Sequence, residues 1–188
     1  MGALLSTFMS FFFSGKEYKV VMVGLDNAGK TTILYKLSLG EVVQSSATVG
    51  SNVETVKYKN IQMEIWDLGG QQNLRPFWAT YYKKSDAVIM VVDSTDRARI
   101  GVCKAEMMSL LENEDLARTP IIVLANKQDL KDAMQVDELT LALGLHSIRN
   151  HDWHIQACCA LTGEGLSESL AWIYQRTRPG GQQGAAAS

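Results

Sequence analysis

The stretch from Gly24 to Thr31 constrains the fold of this chain most, because it matches the phosphate-loop pattern G-x-x-x-x-G-K-[ST] in the required context. The apolar run 19–23 predicts a short buried strand directly before it, and the amphipathic stretch 32–39 predicts a helix directly after it. Strand, glycine loop and helix together form a phosphate site, because backbone N–H groups and the positive end of the helix dipole point at the anion. The alternative is a glycine-rich turn that binds nothing.

Within this loop, Lys30 is predicted to reach the β- and γ-phosphates, and the Thr31 hydroxyl is predicted to bind Mg²⁺. The other residues of this segment that are predicted to contact the bound ligand are Asp26, Asn27, Ala28, Gly29 and Thr32.

The composition predicts one globular domain. The chain has 188 residues, enough for one domain with a substantial core, and its 20% charged and 46% hydrophobic content is ordinary. A net charge of −2 argues against a broad basic face, so we expect no nucleic-acid partner. The three cysteines lack metal-binding spacing and indicate reduced thiols of an intracellular protein.

Residues 1–15 are predicted to form an amphipathic membrane helix. The first six residues fit the myristoylation motif M-G-x-x-x-[ST], with Gly2 as the acceptor. Placed at about 100° per residue, the apolar side chains of this segment cover one broad side. A single myristoyl chain holds a membrane only marginally, so the helix would supply the second anchor. A helix of the soluble core is the alternative.

Strand and helix patterns alternate through the rest of the chain. Strands are predicted at 53–58, 61–66, 87–92, 121–125 and near 154–157, and helices at 100–111, 136–143 and from 166. Because the inner strands are apolar on both faces, the pattern predicts an α/β fold: a mainly parallel sheet with helices on both faces. The first two of these strands form an antiparallel hairpin through Lys59-Asn60. From Arg178 onward, Gly, Gln and Ala predict a disordered tail.

Polar motifs begin at Gly24, Asp67 and Asn126, directly after three of the predicted strands. In an open α/β sheet, ligands bind beyond the carboxyl ends of the strands. We therefore expect Asp67 to hold Mg²⁺ through water and the Gly70 N–H to reach the γ-phosphate. Thr48, on the preceding loop, is expected to close over both through its hydroxyl and carbonyl.

The motif Asn126-Lys127-Gln128-Asp129 predicts a guanine site. A carboxylate at Asp129 accepts hydrogen bonds from the N1–H and the 2-amino group of guanine, a donor pair that adenine lacks. Lys127 is expected to lie along the base and cover it. The alternative for Asn126 and Asp129 is a turn or a helix cap, where both residue types are common.

These motifs resemble those of the ADP-ribosylation factor (Arf) and Arf-like small GTPases. The matching segments are Gly24–Thr31, Thr48, Trp66–Gln71, Asn126–Asp129 and the short loop Cys159-Ala160-Leu161. The resemblance covers residues 2–177. It implies a six-stranded Ras-like fold, a GTP/GDP switch on Mg²⁺, and a fifth motif, the loop 159–161, behind the base.

The resemblance also implies an organisation and a set of partners. Residues 1–15 would be the membrane helix, 16–177 the GTPase domain and 178–188 the tail. It implies recruitment to a membrane through myristoylated Gly2, and a monomeric state. The implied protein partners are an exchange factor, a GTPase-activating protein and an effector that binds residues 46–82. Segments 51–54 and 154–163 are similar to the Arf-like-five branch, which implies a cytoplasmic protein peripheral on trans-Golgi membranes in vesicle traffic. Ser51 departs from Arf, which carries phenylalanine there.

For hydrolysis, the resemblance implies that Gln71 orients the attacking water while Lys30 and Mg²⁺ spread the developing charge. The motifs contain no arginine, so we expect slow intrinsic turnover and an arginine supplied by a partner. Asp26 is expected to crowd the γ-phosphate side. Two other classes remain open: a metabolic phosphate-loop enzyme such as a nucleotide kinase, and an interaction module that binds GTP without hydrolysing it.

Overall fold

The computed structural model describes residues 17–43 and 45–178. The predictions for the helix 1–15 and for the tail beyond Arg178 lie outside this part of the chain, so the predicted division into three segments stays a prediction. The strands are β1 (Glu17–Val23), β2 (Ser51–Tyr58), β3 (Ile61–Leu68), β4 (Ala87–Asp93), β5 (Ile121–Asn126) and β6 (Trp153–Ala157). The α-helices are α1 (Lys30–Leu39), α2 (Ala79–Tyr82), α3 (Ile100–Glu112), α4 (Val136–Leu143) and α5 (Leu166–Thr177). Short 3₁₀ turns occur at Arg75–Phe77, Arg97–Arg99, Glu114–Leu116 and Leu145–Ser147.

The six strands form one sheet in the order β2-β3-β1-β4-β5-β6. Strands β2 and β3 pair antiparallel as the predicted hairpin, and the other neighbours pair parallel. All residues of β4 and β5 are buried, as expected of strands covered on both faces. The predicted α/β fold with a six-stranded, mainly parallel sheet is confirmed.

Two element boundaries differ from the sequence prediction in ways that matter for the site. The antiparallel ladder pairs Ser51 with Leu68 and Asn52 with Asp67, so β3 extends two residues beyond Trp66. Asp67 is therefore held by the sheet rather than by a loop. Helix α1 begins at Lys30, two residues earlier than predicted, which puts the phosphate-loop lysine into the first helical turn.

The hydrophobic core has two layers, one on each face of the sheet. One face packs against α1 and α5, and its buried contributors from these helices include Ile33, Leu34, Leu170 and Ile173. The other face packs against α3 and α4, through Met107, Leu110, Leu139 and Leu143. These layers fix the strand ends that carry the polar loops. Among the described residues, no helix is both long enough and apolar enough to cross a bilayer.

Candidate functional site

The loops that follow β1, β3 and β5 meet at one edge of the sheet. The Asp26 N–H donates to the Gly70 carbonyl at 3.2 Å, which joins the first loop to the second. The Asn126 side-chain amide donates to the Ala28 carbonyl at 2.8 Å, which joins the first loop to the third. Three polar segments that are distant in sequence therefore line one continuous site.

A cavity opens where the first two loops face each other. Nine of the predicted residues line it: Asp26, Asn27, Gly29, Lys30, Thr31, Thr32, Thr48, Gly70 and Gln71. The segment 45–47 completes the lining. Sequence reasoning missed these three residues, because the loop has neither periodicity nor a motif apart from Thr48.

Lys30 is the cation at the base of this cavity. Its side chain is buried, and Nζ donates to the carbonyls of Gly24 at 3.0 Å and Leu25 at 3.1 Å. Burial lowers the pKa of Lys30, while the nearby carboxylates of Asp67 and Asp26 act in the opposite direction. The ammonium is thus fixed among the backbone groups of the loop, where an anion would gain from its charge.

An oxygen cluster lies beside Lys30 where α1 and β3 meet. The Thr31 hydroxyl donates to Asp67 Oδ2 at 2.5 Å and lies 2.9 Å from the Thr48 hydroxyl. Asp67 is fully buried, and its Oδ1 has no hydrogen-bond partner in the described part of the chain. Burial raises the pKa of Asp67, partly offset by the hydrogen bond from Thr31 and the charge of Lys30. Two hydroxyls and a carboxylate with an unpaired buried oxygen fit Mg²⁺, which prefers oxygen ligands.

The turn after β3 packs directly on the phosphate loop. A Cβ on Gly70 would lie 2.4 Å from the Asp26 nitrogen, so only glycine permits this approach. The preceding carbonyl, of Gly69, accepts from the indole nitrogen of the buried Trp78 at 2.8 Å. Gln71 follows with an exposed side chain at the rim of the cavity.

Asn126 organises the third loop. It is buried at the end of β5, and its Oδ1 accepts from the Ala160 N–H at 3.0 Å while its amide holds Ala28. The Cys158 thiol lies 3.7 Å from the same oxygen, and burial raises its pKa to about 12. The loop 159–161 is thereby tied to the phosphate loop through one side chain.

Lys127 and Asp129 lie at the outer part of this loop. Lys127, at a φ of 69°, forms an ion pair of 2.6 Å with Asp93. Burial alone would raise the pKa of Asp93, but hydrogen bonds from Lys127 and Thr95 outweigh it and lower that pKa. Asp129 is exposed, and the thiol of the buried Cys159 donates to its Oδ1 at 3.2 Å.

In the fifth segment, Cys159 and Ala160 are buried, whereas the side chain of Leu161 is 57% exposed. Of these three predicted contacts, the structure therefore packs two into the base of the third loop and directs one to solvent.

Two arginines near the phosphate loop were not predicted. The Asp26 carboxylate, expected to crowd the γ-phosphate side, pairs with Arg99 at 2.9 Å and with Arg75 at 3.6 Å. Both arginines lie outside the motifs and reach Asp26 only through the fold. Their spacing along the chain gives no signal of this contact.

A mainly parallel six-stranded sheet with a phosphate loop after β1 and an Asn-Lys-x-Asp segment after β5 defines a Ras-like guanine-nucleotide-binding protein. The comparison with protein families then gives the particular family. The profile of the ADP-ribosylation factor family matches residues 4–177, and this chain belongs to that family.

Individual relatives support the same family assignment. ADP-ribosylation factor-like protein 5 of Dictyostelium discoideum is 56% identical over 176 residues, covering 92% of this chain and 96% of its own length. ADP-ribosylation factor-like protein 5A of Mus musculus is 54% identical over 166 residues, covering 88% and 93%. The structure of the Arl6 BBS3 small GTPase from Trypanosoma brucei with bound nucleotide analogue GppNp matches with a TM-score of 0.78 and 38% identity, covering 85% of this chain and 96% of that one.

The protein is therefore a small GTPase: a guanine-nucleotide-binding switch that hydrolyses GTP to GDP and phosphate. Members of the family act with exchange factors, GTPase-activating proteins and effectors. The metabolic phosphate-loop enzyme and the non-hydrolysing module are set aside by this membership.

Proposed function

We propose that this GTPase is a membrane-recruited switch of the Golgi that gathers effectors in vesicle traffic. One observation carries the nucleotide-switch part of the proposal: the loops after β1, β3 and β5 converge on one edge, joined by the bonds from Asp26 to Gly70 and from Asn126 to Ala28. The similarity to ADP-ribosylation factor-like protein 5 supports the choice of branch.

In this proposal, residues 26–32 bind the phosphates through backbone N–H groups and Lys30. Thr31 and Thr48 hold Mg²⁺ with Asp67, the last through water. The oxygen cluster with its unpaired Asp67 Oδ1 supports this assignment. When bound, the ion neutralises phosphate charge.

The base is selected by Asp129, whose exposed carboxylate accepts the two donors of guanine. Lys127 covers the ring, and the buried turn of Cys159 and Ala160 forms the back of the pocket. Leu161 adds apolar contact at the rim. The hydrogen bond from the Cys159 thiol supports this placement, because it restricts the Asp129 carboxylate to one orientation.

For hydrolysis, Gln71 orients the attacking water, and Lys30 spreads the charge on the γ-phosphoryl group. Arg75 and Arg99, which lie near the phosphate loop, are paired with Asp26. Intrinsic turnover is therefore slow, and a GTPase-activating partner supplies the arginine finger.

Effectors bind residues 46–82, next to the cavity. Three large hydrophobic side chains there are exposed: Val49, Val53 and Phe77. Trp66 lies 5.9 Å from the Tyr81 ring, and Ser51 is exposed at the start of β2. Since a serine offers no ring to this surface, effectors that need a phenylalanine at this position would bind weakly.

Recruitment combines myristoylated Gly2 with the apolar side of residues 1–15, and places a cytoplasmic monomer peripherally on Golgi membranes. The test is flotation of the acylated full chain with liposomes, together with imaging of the tagged protein in cells. Gly2→Ala should abolish both flotation and Golgi staining. Unchanged membrane binding of Gly2→Ala would contradict this part of the proposal.

The nucleotide site is tested by exchange of fluorescent GDP, GTP and ATP analogues on the full chain, with and without EDTA. We expect tight binding of guanine nucleotides, rejection of ATP and release in EDTA. Thr31→Asn should weaken Mg²⁺ binding and favour the GDP-bound or nucleotide-free form. Equal binding of ATP would refute the role given to Asp129.

The role of Gln71 is tested by single-turnover hydrolysis of bound GTP. Gln71→Leu should retain GTP while the wild-type protein converts it to GDP. A Gln71→Leu protein that hydrolyses GTP at the wild-type rate would refute this role.

A further inference from the structure

The Gly70 carbonyl accepts two hydrogen bonds from different parts of the chain. The Asp26 N–H lies 3.2 Å from it, and Arg75 Nε lies 2.9 Å from it. The carbonyl of Gly70 and the N–H of Gln71 belong to one planar peptide group. Fixing this carbonyl therefore fixes the direction in which the chain enters Gln71.

Arg75 is itself anchored on both sides. Its guanidinium lies 3.6 Å from a carboxylate oxygen of Asp26 in the phosphate loop and 3.6 Å from one of Glu106 in α3. The Arg75 side chain is 11% exposed, whereas Asp26 is 41% and Glu106 is 24% exposed, so solvent screens these ion pairs mainly from the carboxylate side. A guanidinium has five donors in a rigid fork and can hold three partners at once, which an ammonium on a flexible stem does less well.

Hydrogen bonds also close the turn between Gln71 and Arg75. The Gln71 carbonyl accepts from the N–H groups of Leu74 at 2.9 Å and Arg75 at 3.3 Å. Arg99 contacts the same carboxylate oxygen of Asp26, Oδ1, at 2.9 Å, and it also pairs with Asp96 at 2.6 Å. The phosphate loop, the turn after β3 and α3 are thus connected through one side chain, Arg75.

We propose that Arg75 is a positioning residue for GTP hydrolysis, holding the Gly70–Gln71 peptide in the orientation from which Gln71 serves the phosphate cavity. Arg75 acts through Gly70 and does not touch the nucleotide. The proposal rests on the role of Gln71 given under the proposed function. An ion pair that only stabilises the fold is the competing explanation.

The first test is single-turnover hydrolysis by the full chain loaded with GTP and Mg²⁺. Arg75→Ala should slow hydrolysis about tenfold, the effect expected from losing one hydrogen bond to a charged group. Arg75→Lys keeps the positive charge but loses the fixed donor geometry of the guanidinium. This variant should therefore also hydrolyse GTP slowly while remaining folded. Arg97→Ala is the matched control, because Arg97 is exposed and pairs only with Glu138 among the partners described. Wild-type hydrolysis in Arg75→Lys overturns the proposal.

A double-mutant cycle separates positioning from general stabilisation. If Arg75 acts through Gln71, Arg75→Ala should slow hydrolysis in the wild-type background and have no further effect in the Gln71→Leu background. An equal slowing in both backgrounds overturns the proposal. If Gln71→Leu alone hydrolyses like wild type, the proposed role of Gln71 fails. If Gln71→Leu is slow and Arg75→Ala is not, only the present inference fails.

A spectroscopic readout needs no turnover. The indole N–H of Trp78 donates to the Gly69 carbonyl, next to the peptide that Arg75 holds, and the chain has only four tryptophans. In GDP-loaded protein labelled with ¹⁵N, the Trp78 indole resonance should shift or broaden in Arg75→Ala and Arg75→Lys, and stay in place in Arg97→Ala. An unchanged Trp78 resonance in both Arg75 variants overturns the proposal.

Discussion

The deletion of the Asn126 side chain is the most demanding test of how the site is built. Asn126→Ala removes the donor that pairs with the Ala28 carbonyl at 2.8 Å and the acceptor that pairs with the Ala160 N–H at 3.0 Å. Ala28 and Ala160 are 1% and 5% exposed, so water does not easily replace the lost partners. Both backbone groups would be left buried and unpaired.

The magnitude follows from these two groups. An unsatisfied buried polar group costs about 1–3 kcal/mol, so Asn126→Ala should lower the free energy of unfolding by about 2–6 kcal/mol. In a domain of this size, 1 kcal/mol corresponds to about 2–4 °C, and the unfolding midpoint should fall by roughly 5–20 °C. Because Ala28 and Ala160 belong to opposite sides of the nucleotide site, we also expect GDP to dissociate faster.

The assay is thermal and urea unfolding of GDP-loaded protein, followed by circular dichroism, together with the rate of fluorescent GDP release. Asn150→Ala is the matched control, because Asn150 is exposed on a distant loop. A loss below about 1 kcal/mol in Asn126→Ala would refute the reasoning, since it would mean that neither buried group is left unpaired. The same loss in Asn150→Ala would show that the effect is not specific.

Three further substitutions test other parts of the structure. Gly24→Ala should destabilise the protein strongly or prevent folding. The φ of Gly24 is 143°, and the Cβ of an alanine there would lie 2.2 Å from the Val91 carbonyl oxygen. The yield of folded protein and its unfolding midpoint test this prediction. Burial lowers the pKa of His154, so the unfolded chain binds a proton below about pH 6.5 that the folded protein does not, and stability falls with decreasing pH. His154→Gln should therefore reduce the loss of melting temperature between pH 7.5 and 5.5; an unchanged loss contradicts the assignment. Trp78→Phe keeps a ring but removes the donor to the Gly69 carbonyl, and urea unfolding should show a loss of about 1–3 kcal/mol, whereas no loss would mean that this carbonyl needs no donor.

Local patterns in the sequence were sufficient for the six strands and for four of the five described α-helices, but they did not predict α2. The predicted helix 136–143 coincides with α4, and the antiparallel hairpin through Lys59-Asn60 is confirmed. Apolar periodicity and turn residues are properties of a few neighbouring residues, so they can be recognised without the fold. The boundaries of β3 and α1 differed by two residues because strand pairing and loop geometry, not local preference, decide where elements end.

The motifs also predicted which loops carry the site, because the carboxyl ends of parallel strands meet at one edge of a sheet. What the motifs did not contain is how those loops are held together. The segment 45–47 lines the cavity without any periodicity. Arg75 reaches the Gly70 carbonyl five positions away, and Arg99 reaches Asp26 across 73 positions.

The sequence alone therefore determined the fold class and the phosphate- and guanine-binding motifs, because each depends on residue types at fixed short spacing. Only the tertiary structure decided that Asn126 joins Ala28 to Ala160 and that Arg75 joins Gly70, Asp26 and Glu106. Apart from the bond between Arg75 and Gly70, which closes one turn, such contacts form where packed layers bring distant segments to within hydrogen-bond reach, and no short stretch of sequence specifies that distance.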